Sequence, residues 1–275
     1  QTTLKTNGSI VISDDSTVKL HSGGSLNLTG GAIDVLGNIE GAGATVKLET
    51  ARTFANGLRG DITIAEDVNI RLQGQWINDF ANPTNIDDKS LKPLAINGGT
   101  FIANAGGNAG GEVNFKSGSL IDVSGGAWLQ SNRDLVAGSA GEISAIAKPA
   151  LEGAGANVRL DGKFNAYGLE KGGRFVVSAN AVAIRKDDLQ IDSKGLQPLE
   201  LTTDFFNNSG FSEFDISSNV NGLTVEPNAN ILLKQANRVL AGDYINQNNT
   251  VDLGRLTTIE TLPQEQRSPS KLTLR

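Results

Sequence analysis

SIVISDDSTVKLHSGGSLNLTGGAIDVLGNIEGAGATVKLET, residues 9–50, carries a pair of apolar residues two apart about every eight positions: Ile10/Ile12, Val18/Leu20, Leu26/Leu28, Ile33/Val35 and Val46/Leu48. A spacing of two puts both side chains of a strand on one face. The Gly, Asn, Asp and Ser residues between the pairs are turn formers. Strands this short, with turns this close together, leave no room for crossover helices. A chain that repeats the pattern winds into a solenoid, each coil burying its apolar face against the next. Three such strands per coil predict roughly 22–26 residues per turn and coils about 4.8 Å apart. The usual hand of parallel connections makes the expected fold an all-β, right-handed parallel β-helix.

Working outward, residues 1–72 are the most regular, adding Ile62/Ile64 and Val68/Ile70/Leu72. The pattern stops at residues 73–93, QGQWINDFANPTNIDDKSLKP, which reads as a loop excursion off the rod. Trp76 and Phe80, four apart, suit a single helical turn there. Coils resume over residues 94–236, with an irregular stretch at 185–210. The segment 237–275 is polar and weakly patterned, and is expected to cap the rod or cross its end. The whole reads as one structural domain. No stretch shows a helical apolar stripe, so helix content should be low. Inward and outward positions predict different costs: Leu28→Ala should lose about 2–5 kcal/mol, and Asn27→Ala under about 0.5 kcal/mol. Equal losses in a urea melt would reverse that assignment.

Composition narrows function. The 275 residues are 38% hydrophobic but only 5% aromatic, so Ile, Val and Leu are expected to supply the core. Net charge is −6 with a pI near 4.9. No Lys/Arg run stands out, and no nucleic-acid footprint is expected. Without Cys there are no disulfides, thiolate nucleophiles or Cys-ligated zinc. There is no apolar run near the roughly 20 residues of a spanning helix, so no membrane insertion is expected. Gln1 in place of Met suggests a processed chain or an excised piece.

Longer phrases carry a resemblance. GSLIDVSGGAWLQ (118–130), GEISAIA (141–147), VRLDGKFNAYGLEKGGRFVVSANAVAI (158–184), DFFNNSGFSEFDISS (204–218), GLTVEPNANILL (222–233) and LPQEQRSPSKLTL (262–274) resemble, piece by piece and in order, an interior region of very long filamentous haemagglutinin-type exoproteins of Gram-negative bacteria. The resemblance covers roughly residues 110–275; residues 1–72 match only as generic coils. The chain departs from the family in lacking an amino-terminal secretion domain, and in having Lys, Asn and Asp at some Gly and Ala positions. The resemblance implies a β-helical shaft, secretion through an outer-membrane transporter partner, a secreted or cell-surface location, and a part in cell adhesion through a host-cell receptor or glycan. It implies no catalytic residue, metal or cofactor.

Two further readings stay open: a β-helical polysaccharide lyase or hydrolase, and the shaft of a contact-dependent toxin-delivery exoprotein. The enzyme needs paired carboxylates across a sugar, or bound Ca²⁺ with a base. Arg185-Lys186-Asp187-Asp188 comes nearest; the doublets Asp14-Asp15 and Asp87-Asp88, and the sole histidine, His21, read better as solvated turn residues. Arg59-Gly60-Asp61 is an RGD tripeptide, the integrin-ligand pattern that adhesins of the resembled family carry; the plainer reading is a turn entering a strand. Trp76, Phe80, Phe205, Phe206 and Phe211 gather in the two irregular stretches. They either form a binding surface or anchor those stretches to the shaft, and anchoring is the favoured reading.

Overall fold

The apolar pairs of residues 9–50 become strands that return to the same three sheets coil after coil. A computed structural model describes residues 1–50, 60–81, 95–106, 110–149, 157–186, 198–249 and 251–275. The first coil comprises β1 (Thr2–Lys5), β2 (Ser9–Ile12) and β3 (Thr17–Lys19). The second comprises β4 (Ser25–Gly30), β5 (Ala32–Val35) and β6 (Asn38–Glu40). The third comprises β7 (Thr45–Thr50), β8 (Ile62–Ile64) and β9 (Asn69–Arg71). After β10 (Trp76–Asn78) the round repeats through β11 (Thr100–Ala105), β12 (Val113–Phe115) and β13 (Leu120–Asp122). Past β14 (Ala127–Leu129) and β15 (Leu135–Ala137) it repeats again through β16 (Glu142–Ala147), β17 (Val158–Leu160) and β18 (Lys163–Asn165).

First strands of successive coils pair in parallel in one long sheet. Second and third strands form two parallel sheets of five, ordered β17-β12-β8-β5-β2 and β18-β13-β9-β6-β3. The long sheet continues through β19 (Gly173–Ala179), β22 (Phe211–Ser218) and β26 (Lys271–Leu274), reaching eight strands. This is an all-β, parallel, solenoid-like fold. Early coils are short: Leu26 pairs with Val46, Ile10 with Ile33 and Val18 with Ile39. Among the described residues, helix is confined to two four-residue turns, α1 (Phe205–Asn208) and α2 (Leu253–Leu256), and two 3₁₀ turns.

Parallel pairing in register turns each apolar pair into a column. One runs Leu26–Val46–Phe101–Ile143–Phe175–Phe214–Leu272. Its neighbour runs Leu28–Leu48–Ala103–Ala145–Val177–Ile216–Leu274. β4 shows the alternation directly: Leu26 and Leu28 are buried, and Asn27 between them is not. The aliphatic core expected from composition holds in the first coils. From the fourth coil onward Phe takes over: Phe101, Phe115, Phe164 and Phe175 follow one another edge to face, with centroids 5.9, 5.1 and 6.0 Å apart. Small residues beside them, Ala103 and Ala145, make room for the rings, which keeps the interior at close-packed density.

Two places depart from the sequence reading. Within residues 73–81 the excursion carries a strand rather than only loop, and Trp76 is on that strand and not on a helical turn. Trp76–Asn78 is a strand in a small lateral sheet, parallel to β14, which in turn pairs antiparallel with β15. Residues 82–94 lie outside the described residues. The carboxy-terminal segment also differs: β24 (Ala236–Leu240) and β25 (Thr257–Thr261) pair antiparallel, while β26 rejoins the long sheet beside β22. Ile231 and Leu233 pack against the core without forming a strand.

Between β24 and β25 the chain reaches back to the lateral sheet. Leu253 and Leu256 join Trp76, Ala127 and Leu129 in a second apolar core. Asn78 fastens this docking. It is fully buried; its side-chain amide donates to the carbonyls of Ile245 (2.9 Å) and Gln247 (2.6 Å), and its oxygen accepts from the Ala81 N–H (2.9 Å). Its backbone N–H donates to the Asn249 side chain (2.5 Å). Asn78→Ala strands these buried groups, so a loss of about 2–3 kcal/mol is expected. Hydrogen exchange should quicken at the backbone N–H groups of Ala81 and Asn78 before it does in β11 or β16. Unchanged protection there would mean that the Trp76 core alone holds the segment.

Candidate functional site

The structure places most sequence candidates inside the fold. Gly60 is buried, and its N–H donates to the Gly110 carbonyl (3.1 Å). Asp61 leads into β8: its carbonyl accepts from the Ile33 N–H (3.0 Å) and its carboxylate from the Glu112 N–H (2.8 Å). These bonds tie the Gly-Asp half of the tripeptide to neighbouring coils; Arg59 lies outside the described residues. Phe205 and Phe206 sit on α1 but point into the shaft. Phe205 lies 4.9 Å from Phe175, and Phe206 lies 5.0 Å from Phe214. Phe211 joins them, 5.2 Å from Phe175. Trp76 is buried, edge-on to Tyr244 at 6.1 Å, and its indole N–H has no hydrogen-bond partner among the described residues. Phe80 stays half-buried under the Arg133 guanidinium, 4.6 Å from its ring centre.

Polar candidates resolve in the same way. Arg185, at the end of β20 (Val182–Arg185), pairs with Glu226 (3.1 Å), just past β23 (Leu223–Val225), and with Glu200 (3.7 Å) on β21 (Leu199–Thr202); Asp187, Asp188, Asp87 and Asp88 lie outside the described residues. Asp14, Asp15 and His21 are exposed at turns, with Asp15 at φ 54°. Among the described residues, no three His, Asp or Glu side chains form a metal-holding group. No helix there is long and apolar enough to cross a membrane.

Three surfaces remain. On the outer face of the long sheet, charges alternate from coil to coil: Arg174 bridges Glu142 (3.0 Å) and Asp215 (3.5 Å), and Asp215 meets Arg275 (2.5 Å). Beside them, a hydrogen bond from Lys171 holds the Glu213 carboxyl below the usual carboxylate range. Such exposed pairs add little stability, but a one-coil slip would set like charges together, so they guard the register.

The second surface is a groove of about 360 Å³ between α1 and the β24–β25 pair, lined by Tyr167, Asn208, Leu232, Lys234, Ile259 and Glu260. The Tyr167 hydroxyl donates to the Asn208 carbonyl, and burial pushes its pKa up. Behind it the Arg238 guanidinium is lowered by burial, with Asp122 and Asp252 opposing the shift.

The third surface is the outer face of the lateral sheet. Strand alternation turns Trp76, Asn78, Ala127 and Leu129 inward, and Ile77 and Trp128 outward. Register aligns Ile77, Trp128 and Val136 in a row across three strands. Trp128 is half-buried, and its indole N–H donates to Asp79 (2.6 Å). Sequence reasoning passed over Trp128; its signal was the alternation in AWL, with Trp between two small or aliphatic residues.

No protein-family model, curated protein or solved structure matches this chain.

Proposed function

We propose that the chain is a right-handed parallel β-helix serving as a shaft segment of a secreted or surface-exposed bacterial exoprotein of the filamentous haemagglutinin type, where it supports cell adhesion. The observation that carries this reading is the eight-stranded parallel sheet, β1-β4-β7-β11-β16-β19-β22-β26, with its apolar columns continuous from coil to coil. Architecture of this kind extends by adding coils, each contacting its neighbours, and so provides reach and side surface. The ordered phrases of residues 110–275 support the family reading, and with it export through an outer-membrane transporter and presentation to a host receptor or glycan.

An antibody raised against this chain tests the reading on the bacterium that makes it. Intact cells, or their medium, should carry the antigen, and deleting the segment from the full-length protein should lower adhesion to host cells. Antigen that appears only after the cells are opened would overturn it.

A further inference from the structure

The outer face of the lateral sheet holds two parallel rows. The apolar row is Ile77, Trp128 and Val136. Two residues along each strand lies a polar row of Asp79, Gln130 and Asp134: the Asp79 N–H donates to the Leu129 carbonyl (2.9 Å), and the Gln130 N–H donates to the Asp134 carbonyl (2.9 Å), so the ladder continues past the strand ends. Residues two apart share a face, which puts both rows on the same side. We propose that this face is a saccharide-binding platform, on which a pyranose ring stacks over Trp128 and its hydroxyls are taken by Asp79, Gln130 and Asp134.

Several observations select this occupant. The bond to Asp79 satisfies the indole N–H and fixes the ring, so what Trp128 still offers is its apolar face. Asp79 uses one oxygen on Trp128 and Asp134 one on Asn132 (2.6 Å), which among the described residues leaves an acceptor oxygen on each for a hydroxyl donor. A sugar ring presents C–H groups to an aromatic face and hydroxyls along its edge, matching an apolar row beside an acceptor row. Other ligand chemistries fit less well. Carboxylates repel phosphates, which disfavours nucleic acid. A cation cage needs several aromatic faces around the ligand, and of the two rings here Arg133 already covers Phe80, leaving Trp128 alone. Three strands of three residues fall well short of the roughly 800 Å² that a stable protein partner covers. The proposal does not rest on the shaft reading: a platform that binds nothing would leave an inert shaft intact.

The whole chain is titrated with neutral tetrasaccharides — cellotetraose, chitotetraose, mannotetraose and a galactose-terminated tetraose — by calorimetry and tryptophan emission. At least one is expected to bind at millimolar concentration or below and to change the emission. Trp128→Ala should weaken it at least about tenfold, with Trp128→Phe retaining part of the affinity. Thermal melts run alongside; if Trp128→Ala fails to fold, the double variant Gln130→Ala/Asp134→Ala, at a half-buried and an exposed position, decides the question, with a loss of several-fold expected. No binding by any of the four, equal binding by the variants, or binding of a polylysine peptide in their place would overturn the proposal.

Discussion

Replacing Phe175 with alanine is expected to lower the unfolding free energy by about 3–5 kcal/mol. The side chain is fully buried in β19, with the rings of Phe205, Phe211 and Phe164 at 4.9, 5.2 and 6.0 Å. Part of the loss is the transfer energy of the ring, part the cavity left behind, and part the edge-to-face contacts, each about 0.5–1.5 kcal/mol beyond burial. The site is poorly placed to collapse. Its own strand is held in register between β16 and β22, and Phe205 sits on α1, capped by a second ring, Phe206. Phe175→Leu keeps most of the volume and should cost less than about 1.5 kcal/mol. Urea melts followed by circular dichroism measure both. A loss under about 1 kcal/mol for the alanine variant would show that the aromatic cluster repacks around the hole.

Gly141→Ala should cost at least about 3 kcal/mol, the upper end of overpacking, although it adds one methyl group. The reason is not a left-handed backbone, since Gly141 is not among the glycines with positive φ. A Cβ at Gly141 would overlap the Gly99 carbonyl oxygen and lie 2.8 Å from that of Gly98. Both obstacles are main chain, in the next coil, and the Gly141 N–H is already committed to the Val123 carbonyl (2.8 Å). Relief requires β11 and β16 to move apart, and with them the junction with the lateral sheet, where Gly126 donates to Ile96 (2.6 Å) and Gly138 to Gly126 (2.8 Å). Gly242→Ala is the control: nothing lies within 4 Å of its Cβ, so it should change stability by less than about 0.5 kcal/mol. Equal melting midpoints for the two variants would mean that this seam yields easily.

The coils were legible because their information is local. Ile33/Val35 or Val46/Leu48 declares a strand, its inward face and its flanking turns within eight residues. The lateral sheet was not, because WIN, AWL and LVA are strands of only three residues, WIN pairs with a strand some 50 residues away, and an isolated Trp76-x-x-x-Phe80 matches a helical turn equally well. Phe101, Phe115, Phe164 and Phe175 could be read as inward positions on their own strands. Their convergence from different sheets into one aromatic stack depends on how the sheets close around the interior, which no single strand encodes. The same holds for the candidate surfaces. Trp76 and Trp128 sit on neighbouring strands, but the one that attracted attention faces inward, and the one left in an ordinary phrase faces out. Which side of a short strand meets water was set by residues 253–256, more than a hundred positions downstream.

The docking of residues 245–256 onto Asn78 and Trp76 has a mechanical consequence. A solenoid pulled from its carboxy-terminal end would ordinarily shed coils one at a time, each rupture a small, separate event. Here the path of force from β26 toward the middle coils passes a crosslink that skips over them: the segment between β24 and β25 is clasped by a strand some 170 residues earlier in the chain. Under load β26 and β25 can peel away, but further extension then requires the clasp itself to give way. A thread held by such a clasp absorbs sudden tension in one high-force step and stays short below it.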